Sequence, residues 1–230
     1  MGAERMGMER DSPLSLERTG EMDHHDASGL RDPFTMEMHS GRFVDPLRIV
    51  AADVCVSDVA FHLASIRRFS GACRVNVADH SVRVARIVGL LGGCVSCQYE
   101  GLLHDGHEAY IGDIIAPLGR NDFMRAFDTL KISVQRAVDE ALPGPPRSID
   151  CTLAPDRLRL ADQVSGILEA RAYLSSKGKD WGGMHPDAQA TADRLDRFFP
   201  SMRAFAPVSS EDSEREFLSV WALLQKGSSL

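Results

Sequence analysis

The stretch 101–113, GLLHDGHEAYIGD, concentrates the residue types that carry metal and proton chemistry. An apolar helix runs into His104-Asp105, and the acids Glu108 and Asp113 follow closely. At a helix end the turn of about 100° per residue and the loosened last turn let two adjacent side chains converge on one point. A neutral imidazole and a carboxylate both bind first-row metals, and further carboxylates beside them orient or deprotonate a water. His-Asp alone is a common dipeptide. The reading therefore depends on whether other elements of the chain supply more ligands.

Those elements read as helices. Val59, Leu63, Ile66 and Phe69 recur at helical spacing from Ser57, which is placed to act as the N-cap, and Gly71 is the expected stop after Arg67-Arg68. On spacing alone the two arginines are either a solvated face or a phosphate grip, for which the guanidinium fork is suited. A second helix over 77–91 carries Val77, Val84, Ile87, Val88 and Leu91, with His80 inside the pattern. By itself such a histidine reads as a core residue hydrogen-bonded to a neighbour. A third helix, 97–103, delivers His104-Asp105. A fourth covers 122–142 and is ended by PGPP at 143–146. A fifth, 155–174, places Asp162 close to the apolar stripe of Leu158, Val164, Ile167 and Leu168, where an inward carboxylate needs a partner such as a cation. Two amphipathic helices, 187–199 and 210–225, complete the chain. No stretch alternates with period two between hairpin turns, so the expected fold class is all-α, a single compact bundle over 36–226, with SGRFVDPL (40–47) as an extended, turn-containing lead-in. Residues 1–35 lack a sustained apolar period and read as a disordered tail, with His24-His25 as a solvated doublet.

With 230 residues, 43% of them hydrophobic, the chain can bury a substantial core. Its formal charge of −7 argues against a surface built for polymeric nucleic acid, though not against a small anion in a local basic pocket. No stretch approaches the roughly 18 consecutive apolar residues of a membrane span, and the N-terminus has no apolar signal core, so no membrane partner and a cytoplasmic location are expected. Five cysteines, an odd number, do not make a secreted disulfide framework and are expected to be reduced. Cys94-Val-Ser-Cys97 is a lone CxxC and reads as small residues opening a helix rather than a zinc or redox pair.

His80, His104-Asp105 and Asp162 together form the pattern H…HD…D. Here the sequence resembles the HD-domain metal-dependent phosphohydrolases, in particular the compact branch of bacterial 5′-deoxynucleotidases and phage deoxynucleoside (dATP) triphosphohydrolases. The likeness covers about 36–173 and rests on SGRFVDPL, IRRFSG, VADHSV, LLHDGHEAYIGDI and LADQVSGILEAR. The HDxxExxxxD string is its most specific part. The resemblance implies that His80, His104, Asp105 and Asp162 hold one divalent transition metal (Mn, Co, Zn, Fe or Ni), that Glu108 works on the attacking water, and that Asp113 assists. It also implies a homo-oligomer, and a small-molecule deoxynucleotide cleaved at its 5′ oxygen to release phosphate or triphosphate. Arg68 matches the family's substrate arginine. Arg159, three residues before Asp162, and Arg120, after the acidic stretch, are further candidates to bind phosphate, whereas Lys131 reads as a solvated helix residue. The chain departs from the family pattern in VNVADHS, which lacks aromatic residues before His80, and in Gly71-Ala72-Cys73-Arg74, which lacks a histidine. Both departures bear on the substrate rather than the chemistry. The alternative expectation is a non-catalytic HD-type nucleotide-binding or regulatory module.

Overall fold

A computed structural model describes residues 34–114, 124–148, 151, 156–179, 181–198 and 209–230. The expected tail, His24-His25 and Arg120 lie outside them. The fold is mostly helical: α1 (Val56–Ser65), α2 (Val77–Leu90), α3 (Val95–Leu103), the single turn α4 (Glu108–Ile111), α5 (Arg125–Ala141), α6 (Asp156–Tyr173), α7 (Ala188–Phe198) and α8 (Ser210–Gln225). No described helix is long and apolar enough to cross a membrane.

α2 is the central helix because it is apolar on two sides. Val77, Ala78, Val82 and Ala85 join one core with Val59 and Leu63 of α1, Leu102 and Leu103 of α3, Val134 and Val138 of α5, and Phe217 and Leu224 of α8. Val84, Ile87 and Val88 join a second core with Leu160, Val164, Ile167 and Leu168 of α6 and Ala192 and Leu195 of α7. Burying a side chain such as Leu63 or Ile167 stabilises by roughly 1.5–3 kcal/mol, and both are fully buried. The α2–α3 contact is close. A Cβ on Gly101 would meet the Ala85 Cα and the Val88 Cγ2 at 3.2 Å each, so glycine sets how near α3 can lie.

The extended, turn-containing lead-in is part of a short ribbon in which Met36–Glu37 (β1) pairs antiparallel with Phe43–Val44 (β2). The ribbon is tied to α1 where the Ser40 amide and hydroxyl both donate to Asp58, each at 2.8 Å. Ser57 is not the N-cap. α1 begins one residue earlier, with extended Cys55 at the cap and no side-chain cap bond. The helix also stops at Ser65, before the arginines. Arg67 bridges to Asn76, and Gly71 (φ +85°) belongs to a separate 3-10 turn, Phe69–Gly71. α2, by contrast, starts with a working cap, since the Asn76 side chain accepts from the Asp79 amide at 2.9 Å.

Candidate metal centre

The register of α2 decides where His80 goes. It lies four and seven residues before Val84 and Ile87, on the stripe that faces α6. On α6 the polar residues Asp162, Ser165 and Glu169 follow at helical spacing, beside the apolar stripe. The histidine stripe and the acid stripe therefore meet. The His80 Nε2 lies 3.1 Å from the Asp162 Oδ1 and 3.7 Å from the Asp105 Oδ2.

The other pair arrives from the end of α3. His104 keeps helical angles as the C-cap, and the chain then turns through Gly106 into α4. A Cβ on Gly106 would stand 2.9 Å from the Val138 Cγ1 and 3.1 Å from the Leu103 carbonyl oxygen, so this turn can lie against α5 only with glycine there. The His104 Nε2 is 3.1 Å from the Asp105 Oδ2 and 3.9 Å from the Asp162 Oδ1. His80, His104 and Asp105 offer ligand atoms that all lie within 4.8 Å of one another, and Asp162, the fourth residue of the H…HD…D pattern, stands beside both imidazoles.

Both imidazoles are fixed through Nδ1. His80 donates from it to the Glu169 Oε1 at 2.8 Å, and His104 to the Gly101 carbonyl at 2.8 Å. That assigns the tautomer that leaves each Nε2 lone pair pointing into the cluster. Both Nε2 atoms are buried and make no hydrogen bond, so the approaches to the carboxylates are contacts, not bonded pairs. Buried polar atoms without a partner are rare. Two of them converging on two carboxylates make a donor set that fits a divalent cation.

The electrostatics agree. Burial alone would lower the His104 imidazole, but the Asp105 carboxylate, helped by Asp162, pushes it up to about 9. Burial would raise Asp105, yet the His104 and His80 imidazoles and Arg68 hold it well below the usual carboxylate range. Asp162 is held down in the same way by His80 and His104. Without a cation, the carboxylates draw a proton onto the imidazole instead.

Glu108 opens α4 and is buried, with an Oε2 that has no hydrogen-bond partner. Burial, then the negative charges of Asp105 and Asp113, push its carboxyl up to about 9, against the opposing pull of Arg68 and Lys131. Asp113 follows Gly112, half-buried, and is raised by burial while Arg68 opposes. Lys131, exposed on α5, is the solvated residue expected, though its charge is felt by both acids. Asp105, His107 and Glu108 form a second group able to hold a cation, sharing Asp105 with the first. Burial and Lys131 push His107 down to about 4, leaving it neutral; its Nδ1 is 2.9 Å from the Gln135 Oε1.

Arg68 reaches the cluster from an extended residue beyond α1, not from a helix end. Its Nε is 3.3 Å from the Glu169 Oε2. Burial would lower the guanidinium, but Glu169, Asp105, Asp162 and Glu108 raise it above its ordinary value. The turn that follows holds Phe69 and Ser70 at positive φ, 55° and 52°, a conformation that persists only where packing over-determines it. Arg159 is exposed one turn before Asp162, and among the described residues its guanidinium has no ion-pair partner.

Glu169 is the residue that spacing arguments did not single out. Fully buried, it accepts from His80, from the Arg83 Nη1 at 3.1 Å and from the Ser165 hydroxyl at 2.9 Å, besides Arg68. Burial would raise its carboxyl, but His80, Arg68 and Arg83 hold it far below the ordinary range. The available signal was its place seven residues after Asp162, continuing the polar stripe of α6.

No family model matches the chain. Over 59% of its length it is 28% identical to an uncharacterized protein of Rhodobacter capsulatus, a match that covers 75% of that protein. Over 30% of its length it is 37% identical to the uncharacterized protein YfdR of Escherichia coli, of which the match covers 36%.

Proposed function

We propose that the protein is a metal-dependent phosphohydrolase of the HD type that cleaves deoxynucleoside phosphates at the 5′ oxygen, releasing phosphate from a monophosphate or triphosphate from a dATP-like triphosphate. The observation that carries this reading is the convergence of two buried, unbonded imidazole nitrogens with Asp105 and Asp162, next to a buried acid and a buried arginine. His80, His104, Asp105 and Asp162 would hold the cation. Two nitrogen ligands favour Mn, Fe, Co, Ni or Zn over magnesium, which prefers oxygen. When bound, such a cation supplies Lewis acidity for water and for a phosphate oxygen.

The chain's own residues supply the rest. Glu108, its carboxyl raised to about 9, holds a proton at neutral pH and is suited to deliver it to the leaving 5′ oxygen. Asp113 shapes the charge that Glu108 feels. Arg68, locked by Glu169, offers a fixed cation to the phosphate. Arg159 is near enough to meet only a longer phosphate chain. The substrate class comes from the motif resemblance, and phosphate charge is what the buried guanidinium beside the donor set would meet.

The test is a screen of ribo- and deoxynucleoside mono-, di- and triphosphates with the metal-loaded protein, the products separated by chromatography. Nucleoside plus intact phosphate or triphosphate is expected. Tight nucleotide binding with no product would favour the non-catalytic regulatory module, and neither binding nor turnover would overturn the proposal.

A further inference from the structure

A second convergence of ligand atoms lies at the other end of α3. Cys94 and Cys97 bracket its first turn, and Cys151 reaches them from the segment before α6, so that the three sulfurs lie within 4.8 Å of one another. The Cys94 and Cys97 Sγ atoms are 3.5 Å apart, and those of Cys97 and Cys151 3.2 Å. All five cysteines of the chain are thiols. The lone CxxC of the sequence is therefore not lone in space.

Several features suit these thiols to a cation. Cys94 is the N-cap of α3 yet makes no side-chain cap bond, so its sulfur is not committed to the helix. The helix N-terminus favours thiolates, and the Arg147 Nη2 donates to the Cys97 Sγ at 3.3 Å. A tetrahedral zinc with bonds of about 2.3 Å separates its sulfurs by roughly 3.8 Å. The Cys94–Cys97 and Cys97–Cys151 separations of 3.5 and 3.2 Å are shorter than that, so the sulfurs would move apart slightly to take the ion. A disulfide would use two of the sulfurs and leave the third idle.

We infer that Cys94, Cys97 and Cys151 form a site for a thiophilic d10 cation of the zinc class, separate from the His/Asp cluster. Cys94 and Cys151 are half-buried, and a fourth ligand would come from solvent. The site braces the start of α3 against the lead-in to α6. Those two helices deliver His104-Asp105 and Asp162, so the brace fixes the distance between two arms of the candidate metal centre.

The experiment uses the full chain, reduced, stripped of metal and titrated with cobalt(II). Thiolate-to-cobalt charge-transfer absorption in the near ultraviolet should saturate by two equivalents in the wild type, where the His/Asp cluster also takes cobalt, and at one equivalent in His80→Ala, and should vanish when zinc is added. Cobalt held by imidazole and carboxylate gives no such band, so His80→Ala should keep it whereas Cys97→Ser and Cys151→Ser lose it. Zinc should raise the melting temperature of His80→Ala and not that of the His80→Ala, Cys151→Ser double variant. Cys151 is half-exposed, and helical circular dichroism would verify that Cys151→Ser folds. No charge-transfer band in the wild type, a band that survives in Cys151→Ser, or a metal-free Cys97–Cys151 disulfide in protein isolated without reductant would each overturn the inference.

Discussion

His80 and His104 are oriented by different means, one through a buried carboxylate and the other through a main-chain carbonyl. The difference can be measured. Glu169→Ala removes the acceptor that orients His80 and should weaken metal binding by about 10–100-fold, the usual effect of losing an outer partner of a ligand. Glu169→Gln keeps an acceptor oxygen for the His80 Nδ1 and should recover part of that loss, in equilibrium dialysis or calorimetry; equal affinity in all three proteins would show that Glu169 does not position the ring. The two acids of the HD string separate in the same way. Asp105→Ala should lose metal and turnover together, whereas Glu108→Gln should keep its metal and lose about 10²–10⁴-fold in turnover. Normal turnover in Glu108→Gln would transfer the proton role to Asp113. At this scale the four candidate ligands were legible as the H…HD…D pattern, although His80 taken alone reads as a core histidine. Glu169 was not, since a glutamate on a helix of a chain with 26% charged residues is by default a solvated one. Cys151 was invisible for another reason. Its contact with Cys97 spans 54 positions and depends on the path between α5 and α6, which local periodicity does not encode.

At the scale of elements, the helices were readable from their apolar spacing and their joints were not. α2 and α8 begin where their apolar spacing predicted, and each has a side-chain cap, Asn76 accepting from the Asp79 amide and Ser209 from the Asp212 amide at 3.1 Å. α1 has none, because Asp58, which could have served the helix start, is turned to Ser40 of the hairpin loop. That long-range bond carries a prediction. Asp58→Ala should destabilise the fold by about 1–3 kcal/mol at neutral pH, as expected for lost hydrogen bonds to a charged acceptor. Burial would raise the Asp58 carboxyl, but bonds from Cys55 and Ser40 more than offset it, so its pKa is lowered in the folded state. A depressed carboxylate contributes stability above its unfolded pKa of about 3.9 and loses it as pH falls through the folded value. The deficit of Asp58→Ala in urea denaturation should therefore narrow below about pH 4; a deficit that does not change with pH would mean the carboxylate charge plays no part. Gly106 tests a joint of the opposite kind. Gly106→Ala forces a methyl against Val138 and the Leu103 carbonyl, and overpacking of this sort costs about 1–3 kcal/mol. It should also lower metal affinity by moving His104-Asp105, and an alanine variant as stable as the wild type would contradict the packing described.

Over the whole molecule, the two cores on either side of α2 press five carboxylates, Asp105, Glu108, Asp113, Asp162 and Glu169, around two histidines and the guanidiniums of Arg68 and Arg83. Glu169 uses both arginines, so Asp105 and Asp162 rely on whatever occupies the space between the imidazoles. If a cation binds there, the fold should be more stable with it than without. Binding at a free concentration 100 times the dissociation constant adds about 2.7 kcal/mol, and in a domain of this size each kcal/mol shifts the melting temperature by roughly 2–4 °C. Chelation should therefore lower the melting temperature by about 5–10 °C. Mn, Co, Ni or Zn should restore it at lower concentration than Mg. The measurement belongs in the Cys97→Ser background, where the thiol site cannot contribute, with His104→Ala as the control that should no longer respond to chelator or metal. If the Cys97→Ser protein melts at the same temperature with and without chelator after full loading, the tetrad does not hold a cation, and the unbonded Nε2 atoms of His80 and His104 would need another partner.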